Sequence, residues 1–311
     1  MSVFHSALAG LDAVGERLAG ADPRLAGLAI VLHVGNHLLR SVAWRNVLAA
    51  AHPDKRVAVV PIAAAYASGV ALNAVAPARG GDALKVVLAR RAIPGASVAT
   101  LAATLSVLVA FDLVAGTALV LAVGLTGGVP LSADGPARMA AWAGAHWPLL
   151  LAAAALGGAL AWTAVRRMRA RLARLWERLR QGGAILRTPV RYVRQVALVQ
   201  IAAWCCRIGV ILCLLAAFGL PATVPLAGLV MVLAGASTVV PLAPGGAGAQ
   251  QVVLAVALSQ TVSATAVVSF SLGMQAGVTA VNALLGLGGA MVVCRTLHPL
   301  AAVRGLRTAD A

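Results

Sequence analysis

The sequence predicts an all-α, polytopic integral membrane helix bundle of about seven to eight spans. It also predicts an internal repeat and broken or re-entrant helices. Three observations lead there. Of 311 residues, 61% are hydrophobic and only 11% are charged, and the mean hydropathy is +0.91. A soluble domain is about 45–50% apolar even with glycine counted, and about 25% charged. Folding alone cannot hide that much apolar surface at this length. Second, the apolar residues fall in runs of membrane-spanning length. Third, two Gly/Pro-rich segments interrupt the pattern at the ends of apolar runs. Disorder, a disulfide scaffold and a soluble enzyme are excluded as the main architecture.

Residues 1–20 carry Asp12, Glu16 and Arg17 and lack a basic stretch ahead of an apolar core. They read as an amphipathic segment lying on the membrane rather than a cleavable signal. The membrane domain is expected over 21–297, with a cytoplasmic tail at 298–311. Its first span runs from Leu25 to about Leu39, interrupted by His33, Asn36 and His37. The second is Val57 to Ala76. The third runs from about Ser97 to Leu125 and contains Asp112; the fourth runs from about Ala141 to Val165. A fifth covers about Gln195 to Leu220 and contains Arg207. From Ile208 to Cys294 there is no Asp, Glu, Lys, Arg or His. That stretch has room for a span at about Ala222–Pro241, a short piece at Gln250–Val262 and a span at about Thr265–Val293. The short piece cannot cross upright as helix and reads as a half-helix, a re-entrant element or part of a tilted span.

The net charge of +16 is concentrated. The segment 166–194 holds ten arginines and one acid, Glu177. Between two apolar runs this is the positive-inside pattern, so the segment and the tail with Arg295, Arg304 and Arg307 are expected to be cytoplasmic. Leu172, Leu175, Trp176 and Leu179 recur at helical spacing within it, which also suits an interfacial helix with snorkelling arginines. Nucleic acid is not the expected partner. Arg40, Arg45, Lys55 and Arg56 read as a further inside-facing group, but counting spans from 166–194 puts them outside. That conflict points to something other than an ordinary loop at 77–95. Cys205, Cys206, Cys213 and Cys294 read as small membrane residues, not a disulfide framework.

Two turn-rich motifs carry the functional argument. The first is N-A-V-A-P-A-R-G-G-D-A-L-K, Asn73 to Lys85, and the second is V-P-L-A-P-G-G-A-G-A-Q-Q, Val240 to Gln251. Each follows an apolar span and leads into a short apolar helix, so the repeat is placed near 73–91 and 240–260. Repeated Gly/Pro breaks are a sequence sign of transporters whose sites form at broken helices. Pro and Gly free backbone groups that need partners inside a membrane. A restarting helix aims its N-terminus at the break, where an anion is favoured. Arg79 and Lys85 add positive charge there. The blander alternative is a pair of surface turns with interfacial charges.

Asp112 and Arg207 are ionisable groups within spans, where charge is costly and faces a partner or a wet cavity. An Asp112–Arg207 pair is one arrangement; a structural pair or a snorkelling arginine is another. His33 and His37 share a helix face at i, i+4. No Cys or carboxylate nearby completes a metal site, so polar interhelical contacts are expected. Gly245, Gly246 and Gly248 are not followed by G-K-[ST], which argues against ATP hydrolysis. No metal or cofactor is expected.

The motifs resemble the transmembrane domain of lysylphosphatidylglycerol synthases, the flippase-like family that includes the membrane half of the multiple peptide resistance factor. The resemblance spans roughly residues 25–294. It rests on R-S-V-A-W-R-N-V-L at Arg40–Leu48, on Asn73, Pro77, Gly80, Gly81 and Asp82, and on Pro244, Gly245, Gly246, Gly248 and Gln251. There are departures. Where the family has E-R-x-x-D, this chain keeps only Asp112, with Leu108 and Val109 at the Glu and Arg positions. Gln251 stands for a Glu and Gln275 for an Arg, and the family's first full span is missing or shrunk to residues 1–20.

The resemblance implies a multi-pass plasma membrane protein of bacterial type that moves an anionic, aminoacylated or polyprenyl-phosphate-type lipid between leaflets. The aminoacyl-transferring domain has no counterpart here, so enzymatic activity is not expected. Candidate lipid-binding residues are Asn73, Pro77, Arg79, Gly80, Gly81, Asp82, Lys85, Asp112, Arg207, Pro244, Gly245, Gly246, Gly248, Gln251 and Gln275. Anionic membrane lipids, and a lipid-modifying enzyme, are the expected partners. The rival roles are a non-catalytic subunit that presents a lipid to a separate synthase or glycosyltransferase, and a scaffold that has lost transport with its charges.

Overall fold

The computed structural model describes residues 15–17, 19–75, 80–125, 180–237, 254 and 263–295. Among these there is helix and no strand. We number the main helices α1 (Pro23–Ala51), α2 (Val59–Val75), α3 (Gly80–Ala92), α4 (Val98–Leu125), α5 (Pro189–Ala217), α6 (Val224–Ser237) and α7 (Ala264–Cys294). Four stretches are long and apolar enough to cross a membrane: Pro23–Ala51, Val98–Val123, Pro189–Ala217 and Thr265–Cys294. The expected fourth span (141–165), most of the basic segment, the second Gly/Pro motif and the tail lie outside the described residues.

Local chemistry sets the helix ends. Asp22 caps α1, accepting a 2.8 Å bond from the Arg24 amide, and Pro23 fills the first turn, where no amide partner is needed. Pro53, one residue past the His52 cap, cannot continue the helix. Past the Phe218 cap, α5 is terminated by Gly219, whose φ of +68° suits glycine, before Pro221. Ser263 caps α7 through the Ala266 amide. α5 starts at Pro189, so the end of the basic segment is already helix. A π turn at Val193–Ala197 interrupts it, and Asn46 of α1 donates to the Gln195 carbonyl there at 2.8 Å.

α1 runs antiparallel along α5, and the Asp22 amide bonds the Ala217 carbonyl at 3.0 Å. α7 lies against α2, and α3 folds back on α2. Small residues make these crossings close. A Cβ on Gly289 would press on the Ala64 carbonyl at 2.5 Å, and one on Gly286 would collide with Ala71. A Cβ on Gly81 would collide with the Gly69 carbonyl and meet Asn73 Oδ1 at 2.6 Å. Close backbone approach through small residues is how helices pack where lipid removes the hydrophobic drive between them.

Two apolar clusters occupy opposite ends of the bundle. One gathers Trp44, Leu48, Ile62, Leu88, Leu101 and Ile185; the other gathers Ile211, Leu215, Val230, Met231, Val267 and Phe270. The outside is apolar as well. Leu113 and Val114 are 69% and 71% exposed, and Val31, Leu121 and Leu284 also face outward. A helix that is apolar both inward and outward belongs in lipid. The polar groups lie between the two clusters.

Candidate functional site

The polar layer is built on one face of α1. His33, Asn36, His37 and Arg40 recur at i, i+3, i+4 and i+7, the spacing of one helical stripe. Arg40 makes a two-pronged ion pair with Asp112 of α4, at 2.9 Å (Nη1–Oδ1) and 2.5 Å (Nη2–Oδ2). Its Nε donates to the Tyr66 hydroxyl of α2 at 2.6 Å. The Trp204 indole of α5 donates to Asp112 Oδ1 at 3.0 Å. Four helices thus meet at one guanidinium–carboxylate pair, the bidentate geometry that makes arginine the residue for such contacts.

This corrects two expectations. Asp112 pairs with Arg40, not Arg207, because α1 brings Arg40 to the carboxylate while Arg207 lies over the Trp204 ring, 5.8 Å from its centre. Arg40 is also not a flanking topology charge. It lies within Pro23–Ala51, as Arg45 does, but it points to Asp112 and is neutralised there, which sets it apart from the group that conflicted with the positive-inside count.

His33 and His37 sit edge to face, with Nε2 atoms 3.1 Å apart. Both Nε2 atoms lie 2.9 Å from Asn282 Oδ1 on α7. The expected interhelical contact of this pair is therefore present, and Asn282 is its partner. His37 Nδ1 is buried and has no hydrogen-bond partner among the described residues.

Two cavities flank Arg40, which lines both. The first, about 460 Å³, opens between α1, α2, α5, α6 and α7. Its polar wall is His33, Asn36, His37, Asn73, Arg207, Gln275, Thr279 and Asn282. Arg207 is exposed to it. No carboxylate is among the described residues that line it. The second, about 610 Å³, lies between α1, α2, α3 and α4 and includes Tyr66, Asp82, Lys85, Ser106 and Asp112. Here charges are matched within the protein: Lys85 bonds Asp82 at 2.8 Å and covers the Tyr66 ring at 4.5 Å.

The first motif holds these cavities together. Asn73 Oδ1 accepts from the Gly81 amide at 2.8 Å, satisfying one free donor of the first turn of α3, and Asn73 Nδ2 reaches Asp82 Oδ1 at 3.2 Å. Gly80 starts α3, and Asp82 sits in its first turn, on the favourable side of the helix dipole. The structure thus brings Asn73, Gly80, Gly81, Asp82 and Lys85 together at the start of α3, and Asp112, Arg207 and Gln275 around the polar layer. Pro77, Arg79, Pro244, Gly245, Gly246, Gly248 and Gln251 lie outside the described residues. Sequence reasoning missed Arg40, Tyr66, Trp204 and Asn282 as members of the site. The 33-36-37-40 stripe would have found Arg40; nothing in the sequence singles out Tyr66 or Asn282.

Among the described residues the chain is a helical bundle with membrane-spanning stretches, a bidentate ion pair and polar cavities between its helices, which defines the class of an integral membrane protein. The chain belongs to the lysylphosphatidylglycerol synthase TM region family, whose model matches residues 2–286. No curated protein and no solved structure matches it. The family ties the chain to lipid handling at a membrane.

Proposed function

We propose that the protein is a lipid translocase, a transporter rather than an enzyme, that moves an anionic or aminoacylated (or polyprenyl-phosphate-type) lipid between the leaflets of a bacterial plasma membrane. The observation that carries this reading is the first cavity: Arg40, Arg207, two imidazoles and four carboxamides line it without a carboxylate among the described lining residues. A guanidinium in a span is costly unless something pairs it. Arg40 has Asp112; Arg207 is exposed to the cavity, where a phosphodiester fits its fork of donors. The headgroup would sit against Arg207 and Asn36, with acyl chains toward the lipid-facing side.

The reading also takes α3 as a re-entrant half-helix. Its 13 residues cover roughly 20 Å, short of the ~30 Å hydrocarbon core. The second Gly/Pro motif would supply a matching half-helix, giving an internal repeat and about seven to eight spans in all. Arg79 would add positive charge to the phosphate path at the first break.

The test is exchange of fluorescent phosphatidylglycerol, its lysyl derivative and a polyprenyl phosphate in vesicles carrying the purified full chain. Faster exchange of one anionic or aminoacylated lipid, abolished in Arg207→Gln, is expected. Exchange at the protein-free rate over the whole panel contradicts translocation. One feature favours the second reading, a membrane partner that presents lipid to a synthase or glycosyltransferase: neutral Leu108, Val109, Gln251 and Gln275 stand where the resembled family carries charge. Lipid bound without exchange, together with a co-purifying transferase, would select it.

A further inference from the structure

We propose that His33 and His37 form a proton site coupled to the anion in the same cavity, so that the protein takes up a proton with each anionic headgroup. This rests on the anion reading above and adds a co-transported ion to it.

The geometry makes the pair a proton acceptor held in waiting. One carbonyl oxygen, Asn282 Oδ1, faces both Nε2 atoms at 2.9 Å. With both Nε2–H groups donating to it, both Nδ1 atoms carry lone pairs, and that of His37 is buried without a donor among the described residues. The charged and titratable groups around the pair come from every packed helix: Arg40 on α1 itself, Tyr66 on α2, with its ring 6.3 Å from that of His37, Lys85 on α3, Asp112 on α4 and Arg207 on α5. On α7 the pair meets the neutral Asn282 and, nearby, Gln275 and Thr279.

Lys85 and Asp82 cancel, and so do Arg40 and Asp112. Among the described residues, the remaining guanidinium of Arg207 leaves the layer with one net positive charge. A proton on the imidazoles would raise it to two, and like charges held close together repel. A phosphodiester at Arg207 returns the layer to neutrality and makes room for that proton. The reverse holds by linkage: a protonated pair binds the anion more tightly. Histidine is the side chain suited to this exchange near neutral pH. The bookkeeping is one H⁺ and one monoanion in, with no covalent change.

The experiment uses the full chain in micelles and the short-chain probe dihexanoylphosphatidylglycerol, whose phosphodiester stays ionised throughout the window. Its affinity is measured by calorimetry from about pH 5.5 to about pH 8, where imidazole changes charge. Wild type should bind about ten-fold more tightly at the acid end, within the usual range of coupling between sites. Heats in buffers of different ionisation enthalpy should give proton uptake on binding. His33→Gln/His37→Gln, which keeps side-chain amides facing Asn282, should bind with pH-independent affinity and no proton uptake. Uptake in the wild type stands as a test even if that variant does not fold. Arginine-dependent binding with a flat pH profile overturns the coupling and leaves the lipid reading intact. A pH dependence that survives the double substitution overturns the assignment to this pair. No binding at any pH overturns the proton-coupled phosphodiester site, and the lipid reading falls with it only if the whole exchange panel also stays at the protein-free rate.

Discussion

The two cavities beside Arg40 solve the same problem in opposite ways. Both place charge inside a bundle surrounded by lipid. In the second, each cation has its own carboxylate: Arg40 meets Asp112, and Lys85 meets Asp82. In the first, Arg207 faces an open volume walled by amides, imidazoles and a hydroxyl. A self-neutralised cavity fixes helices in place. On the proposed reading, the surplus positive charge among the described lining residues of the first cavity is what would receive a ligand. The difference shows why counting intramembrane charges misleads: what matters is whether the partner is protein or something that arrives.

The sharpest way to break the comparison is to remove the group the cavities share. Arg40→Ala leaves Asp112 with the Trp204 indole alone and takes a hydrogen bond from Tyr66. The side chains of the pair are 16% and 26% exposed, so the loss should fall below the roughly 3–5 kcal/mol of a fully buried pair and above the ~1 kcal/mol of an exposed one. Asp112→Ala should cost a comparable amount. Denaturant unfolding in micelles checks both. The double variant should be less destabilised than the sum of the two, by about 0.5–3 kcal/mol of coupling. Additive losses would mean that the two residues act separately.

Next in size is Gly81→Val, at the seam between the cavities. The added side chain would strike the Gly69 carbonyl and displace Asn73, which lines the first cavity while bonding Asp82 of the second. Overpacking of this kind costs roughly 1–3 kcal/mol. Because backbone is the obstacle, relaxation requires α3 to move away from α2. Amide hydrogen exchange in α3 should therefore be faster in the variant than in wild type.

How much of this was legible in the sequence depends on the kind of signal. Membrane class, the bounds of α4 and α7, and a short helix after Asn73 follow from runs of apolar residues and from Gly and Pro, which act locally. α1 ran past its expected end because polar His33, Asn36, His37 and Arg40 looked like interruptions, although they form a single inward stripe. Arg40 was read as a topology charge for the same reason: a one-dimensional count cannot tell a flanking arginine from one that α1 turns toward Asp112. Trp204 and Arg207 lie one turn apart, yet which of them would touch Asp112 depended on how α5 packs on α1. Asn282 is 249 residues from His33, and no local pattern links them.

Arg207→Gln sharpens the contrast from the other side. This side chain is exposed in its cavity and holds no ion pair among the described residues. Folding stability should change little. Affinity for an anionic short-chain lipid should fall about ten-fold, equal to about 1.4 kcal/mol. Calorimetry and unfolding on the same preparation separate the two. A large stability loss with unchanged binding would make Arg207 structural and empty the first cavity of its role.

The smallest effect is expected at Asp82→Asn. The Asp82 side chain is 45% exposed, so water screens its attraction to Lys85. Exposed pairs of this kind contribute about 0–1 kcal/mol. Asparagine also keeps an oxygen for Lys85 and for the Asn73 amide, so the α2–α3 seam should hold. On the proposed reading lipid exchange should stay within about two-fold of wild type, since the substitution changes a weak, exposed pair in the cavity that the reading does not assign to the ligand. If exchange instead collapses while unfolding is unchanged, the carboxylate itself takes part in transport. The second cavity would then be part of the lipid path rather than its brace, and the division between a binding side and a holding side would have to be redrawn at α3.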